Sequence, residues 1–144
     1  MIIEPFCRKP NFYETDKMGI IHHSNYIRWF EEARVDLLEK INFPYKKVTV
    51  CGIDFAVLDV FCEYKAMIHY EDTVNIYVSV PEIKEMKMAM NYKIVNEKTG
   101  EVCTLGRTGL CFYDNNRKRP VSLKKTIPEL YDLFCLLNKS ASNG

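Results

Sequence analysis

The hydrophobic period of this chain changes once, and that change limits the folds open to it. Between Ser24 and Ile41, the residues Tyr26, Phe30, Ala33, Leu37 and Ile41 recur at steps of three and four, which is one face of a helix. Trp29 and Leu38 widen the stripe, and Arg28, Glu32 and Asp36 occupy another side. From Ile53 onward the period is two. Val74, Ile76, Val78 and Val80 alternate with Asn75, Tyr77 and Ser79, and Met86, Met88, Met90, Tyr92 and Ile94 alternate with Lys87, Ala89, Asn91 and Lys93. With a short extended start near Ile2 to Phe12 and a further run over Val102 to Tyr113, the pattern predicts α+β. One long helix would pack on an antiparallel sheet of about five strands, burying one face of each.

Local signals set the expected boundaries. Ser24 suits an N-cap and Pro44 marks the end of the long helix. Pro81 to Glu85 and Asn96 to Gly100 read as hairpin connections, and Asp114-Asn115-Asn116 as a turn. A last short helix is expected over Ile127 to Leu137, with Pro128 in its first turn, followed by a polar tail from Asn138 to Gly144. No repeat or linker interrupts the chain, so residues 1–144 read as a single domain.

Composition removes several function classes. A formal charge of +1, with Arg117-Lys118-Arg119 the only dense basic run, is not the footprint of a nucleic-acid binder. The six cysteines form no CxxC pair and no metal-ligand spacing with the histidines, and read as small buried hydrophobes in a reducing compartment. No run has the length of a membrane span, and the start MIIEPFCRKP lacks the apolar segment of a secretory signal, so a cytoplasmic location is expected. No serine-hydrolase elbow, phosphate-cradling glycine loop or HExxH is present.

The chemistry-bearing stretch is Tyr13 to Arg34. The helix start leaves backbone N–H groups without intrahelical partners, and with the macrodipole they favour developing negative charge. Gly19 permits a sharp turn or the close approach of a ligand. Asp16 just ahead of that helix start is open to two readings: a turn-forming residue, or a general base or nucleophile beside an oxyanion hole. A thioester would need little more, because a thiolate leaves readily.

The run Glu14-Thr15-Asp16-Lys17-Met18-Gly19-Ile20-Ile21-His22-His23-Ser24-Asn25-Tyr26, continued by Trp29-Phe30-Glu31 and Arg34, resembles the signature of the hot-dog-fold acyl-CoA thioesterases of the 4-hydroxybenzoyl-CoA thioesterase type. Tyr70-Glu71-Asp72 and Arg119-Pro120 extend the likeness over most of the chain. The resemblance implies hydrolysis of an acyl-CoA, with Asp16 as the catalytic carboxylate, the backbone amide at His23 polarising the carbonyl, and no metal or bound cofactor. It also implies a homodimer or homotetramer with shared sites. One departure stands out. Some members carry a tyrosine four residues before the aspartate, where this chain has Phe12 and places Tyr13 one position later.

Other residues carry lesser expectations. A side-chain role for His23 is weighed alongside the positional one, and His22 reads as structural. Gly19, Ser24, Asn25 and Tyr26 are candidates to line the substrate pocket, and Arg117 and Arg119 to meet coenzyme A phosphates. Glu31 and Arg34 read as an ion pair on one helical face. Rival functions are a non-catalytic acyl-CoA-binding module of the same fold, a dehydratase or hydratase, and a thioesterase acting on acyl carrier protein.

Overall fold

A computed structural model describes residues 2–142, so Asn143 and Gly144 of the expected tail lie outside the described residues. The periodic stretch forms helix α1, Ser24–Lys40, and its buried face carries Tyr26, Trp29, Phe30, Ala33, Leu37 and Leu38. Around it curls an antiparallel sheet of β1 (Phe6–Arg8), β2 (Ile53–Tyr64), β3 (Val74–Ile83), β4 (Lys87–Asn96) and β5 (Val102–Asp114), in the spatial order β1-β3-β4-β5-β2. A two-residue strand β6, Arg119–Pro120, pairs with β5. The expected α+β class, long helix and five main strands are all present.

Helix and sheet meet without a spacer at one point. The Phe30 ring stacks on Tyr92 of β4, with centroids 4.4 Å apart, and lies over Gly106 of β5. A Cβ at Gly106 would stand 2.2 Å from Phe30 Cζ, so the close packing of α1 requires a residue with no side chain there. Ile76, Met88, Met90, Ile94, Leu110 and Phe112 complete the core against the helix.

Several boundaries differ from expectation. Ser24 is the first residue of α1 and not its cap: the cap position falls on His23, which makes no side-chain capping bond. Ser24 Oγ instead meets His22 Nδ1 at 2.8 Å. Strand β3 runs through Pro81 to Ile83 by way of a bulge between Ser79 and Glu82, which lets the proline sit in a strand without breaking its ladder. Met86 lies in the turn and is exposed, while Ala89 is buried opposite Gly109. Two short helices were not expected, α2 (Tyr45–Val50) and α3 (Leu123–Thr126), and α4 (Pro128–Ser142) is longer than the periodicity indicated. The expected Glu31–Arg34 pair gives way to a bond from Arg34 Nη1 to the Tyr92 hydroxyl at 3.2 Å, which in turn meets Thr108 Oγ1 at 2.7 Å.

Candidate active site

The acidic turn folds back on itself ahead of α1. Gly19 adopts φ +79°, a region that side chains disfavour, and its N–H donates to the Asp16 carbonyl at 3.1 Å. The Asp16 amide donates to Ile20 O at 2.8 Å, and Asp16 Oδ1 accepts the Met18 amide at 2.7 Å. The returning leg is fixed by Ile21 N to Ile68 O at 2.8 Å and His22 N to Glu14 O at 2.9 Å. Asp16 is therefore held by its own turn, with Oδ2 outside that bond.

Asp16, His23 and Tyr26 face one cavity of about 350 Å³, which Tyr64, Ala66 and Met67 also line. His23 stands at the N-terminal end of α1. The Ser24 amide donates to His22 Nδ1 and the Asn25 amide to His22 O, and the His23 amide takes part in neither bond. Tyr64 donates its hydroxyl to the His23 carbonyl at 3.2 Å, and its ring packs edge-on to Tyr26 with centroids 4.9 Å apart. Burial first, then the neighbouring Cys62, pushes the Tyr64 phenol up to about 12, so it remains a donor at neutral pH. Burial likewise raises the Tyr26 phenol well above the ordinary tyrosine value.

Of the other candidates, Gly19 shapes the turn and does not line the cavity. Ser24 and Asn25 face away from it, toward a second groove with Arg28 and Glu32. Asn25 is buried, and its Nδ2 donates to Glu14 O at 2.9 Å, so the side chain is committed to the fold. Arg117 and Arg119 are exposed on the β5–β6 turn beside the Ile53 end of β2, whereas Tyr64 ends that strand at the cavity. The strand has twelve residues from one end to the other, roughly 36 Å along its length. Tyr13 is exposed and its hydroxyl accepts from Asn11 Nδ2, away from the cavity.

The sequence reading missed Tyr64 and Glu14. Nothing in the period of β2 marks Tyr64, but Asn11-x-x-Glu14 is a capping-box spacing. Glu14 ends a 3-10 turn, Phe12–Glu14, and its side chain is only 4% exposed. Oε1 accepts Arg8 Nη1 at 2.7 Å and the Asn11 amide at 2.7 Å, while Oε2 accepts Arg8 Nη2 at 3.0 Å and Trp29 Nε1 at 2.8 Å. Burial alone would raise this carboxyl. The bonds from Asn11, Trp29 and Arg8, with the Arg8 charge, outweigh it and hold the group below the ordinary glutamate value.

A larger groove of about 540 Å³ crosses the sheet beside Phe61, Tyr77, Lys93 and Arg107, but its lining includes no carboxylate and no histidine. Among the described residues, no group of three or more His, Cys, Asp and Glu side chains is arranged to hold a metal ion.

Residues 10–130 match the family model of the Thioesterase-like superfamily. A protein of Aquifex aeolicus that carries an esterase name is 39% identical over 92 residues, covering 64% of this chain and 72% of that one. A 1,4-dihydroxy-2-naphthoyl-CoA hydrolase of Prochlorococcus marinus is 29% identical over 145 residues, covering 94% and 88%. The solved structure of a DHNA-CoA thioesterase from Staphylococcus aureus superposes with a TM-score of 0.91 at 31% identity, covering 98% of this chain and 94% of that chain. The match over residues 10–130 and the long helix wrapped by an antiparallel sheet agree, and the chain belongs to the thioesterase-like superfamily with the hot-dog fold.

Proposed function

We propose that this protein is an acyl-CoA thioesterase that releases a carboxylic acid and free coenzyme A, with Asp16 as general base or nucleophile. The observation that carries the reading is that Asp16 and the His23 end of α1 open on the same cavity. The His23 amide and the positive end of the helix suit the oxygen of a thioester carbonyl as it gains charge. In the general-base route, Asp16 takes a proton from water as its oxygen bonds to the carbonyl carbon. The C–S bond then breaks and the thiolate leaves, to be protonated from solvent. In the nucleophilic route, an Asp16 carboxylate oxygen attacks the carbonyl carbon, the C–S bond breaks as the thiolate leaves, and water hydrolyses the resulting anhydride to the free acid and the Asp16 carboxylate. Tyr26, Ala66 and Met67 give the acyl group an apolar wall.

A homodimer or homotetramer is part of the same reading. Strand β2 ends the sheet, no described strand pairs with its outer edge, and Val57, Leu58, Val60 and Phe61 are exposed along it. Two copies pairing these edges about a two-fold axis would run β2 antiparallel to itself. The Arg117–Arg119 turn of the second copy then comes toward the Tyr64 end, which suits guanidinium contacts with coenzyme A phosphates. We place the protein in the cytoplasm with acyl-CoA as its partner. Among the described residues, no helix is long and apolar enough to cross a membrane.

The test is release of free thiol from a panel of short, long and aromatic acyl-CoAs. Turnover on at least one is expected. Binding of acyl-CoA without turnover on any would favour a non-catalytic module.

A further inference from the structure

Glu14 stands two residues before Asp16 and touches both legs of the turn. Its carbonyl accepts the His22 amide at 2.9 Å and Asn25 Nδ2 at 2.9 Å, so one oxygen holds the returning chain and the first turn of α1 together. Its carboxylate is held from the other side by Trp29 Nε1 of α1, by Arg8 of β1 and by the Asn11 amide. Arg8 is itself tied to Glu32 of α1, Nε to Oε1 at 2.8 Å, and its guanidinium lies 4.7 Å from the Trp29 ring centroid. Asp16 lies two residues beyond this clamp on one leg, and His23 one residue beyond it on the other. Nothing in the proposed chemistry uses Glu14, which does not line the cavity.

We infer that Glu14 is a positioning residue, whose side-chain bonds to Trp29, Arg8 and the Asn11 amide set the Asp16 carboxylate against the His23 amide. The inference rests on the thioesterase reading and extends it to a residue outside the cavity. Its chemistry requires a carboxylate. All four bonds reaching the two side-chain oxygens come from donors. A glutamine can present one oxygen only, and its amide nitrogen would face two of those donors. A displacement of about 1 Å between reacting groups costs up to about 100-fold in rate.

The test compares wild type with Glu14→Gln at a temperature well below both melting midpoints, where a purely structural defect leaves the folded enzyme's turnover intact. We expect kcat for thiol release to fall about 10- to 100-fold, with KM within about two-fold. Amide exchange over residues 15–23 should quicken at least about ten-fold more than exchange in β3 to β5. If Glu14→Gln does not fold, Trp29→Phe removes one of the four bonds and should show the same pattern at about 3- to 10-fold in kcat. Turnover within two-fold of wild type in the folded variant overturns the inference. So does exchange that quickens equally in the turn and the sheet. An inactive wild type sinks the thioesterase reading instead, while unaltered exchange over 15–23 in Glu14→Gln sinks the clamp whatever the activity.

Discussion

The Trp29 indole donates its N–H to Glu14 Oε2 at 2.8 Å, joining the most deeply buried face of α1 to the turn that carries Asp16. This is a buried hydrogen bond to an ionised acceptor. Replacing Trp29 with phenylalanine keeps an aromatic ring but leaves that oxygen short of a donor. The expected loss is about 1.5–3 kcal/mol of folding stability, read from urea unfolding.

Glu14 also makes stability depend on acid. Its folded-state value is depressed by the Asn11, Trp29 and Arg8 donors acting against burial. The stabilisation is therefore fully present above the ordinary glutamate value of about 4.3 and is lost as pH falls from there through the lowered folded value. Melting temperature should drop on that acid limb in wild type. In Glu14→Gln the limb should be shallower, because one of the carboxyls that must be protonated has gone.

Gly106 and Phe30 set how closely helix and sheet approach. A methyl group at Gly106 would stand 2.2 Å from Phe30 Cζ, so Gly106→Ala forces the ring or the helix outward. We expect a cost of about 1–3 kcal/mol in chemical denaturation. Adding Phe30→Leu should recover part of it, since the smaller side chain clears the space.

Tyr64 reaches the cavity from the end of β2 and bonds the His23 carbonyl at 3.2 Å. Tyr64→Phe keeps the packing on Tyr26 and removes that bond. A two- to ten-fold fall in kcat/KM is expected, corresponding to about 0.5–1.5 kcal/mol. With the phenol at about 12, the pH–rate profile between pH 6 and 9 should keep its shape in the variant.

What the sequence displayed followed from burial. Helix α1 was legible because its large apolar residues fall on one side, and β3 to β5 because their inner faces repeat every second residue. Strand β2 departs from the period of two expected from Ile53 onward: as the sheet edge it carries Val57, Leu58, Val60 and Phe61 exposed, so its burial does not alternate. Helix α2 has the sequence Tyr-Lys-Lys-Val-Thr-Val and buries only Val48, too little for a periodic signal. At the site, the motif named Asp16 and His23, and Tyr26 joins them because it lies three residues from His23 on the same helical face. Ser24 and Asn25 fall between and turn to the opposite side. Glu14 escaped notice because a buried carboxylate is identified by its donors, which come from positions 8, 11 and 29.

The central claim is that Asp16 does chemistry and does not merely shape a turn, and one measurement on Asp16→Asn decides it. Asparagine keeps the side-chain oxygen that accepts the Met18 amide, so the turn survives the exchange. On whichever acyl-CoA the wild type turns over, kcat should fall by about two or more orders of magnitude. The affinity for a non-hydrolysable acyl-CoA thioether should stay within about two-fold of wild type. Turnover by Asp16→Asn at the wild-type rate would contradict the account.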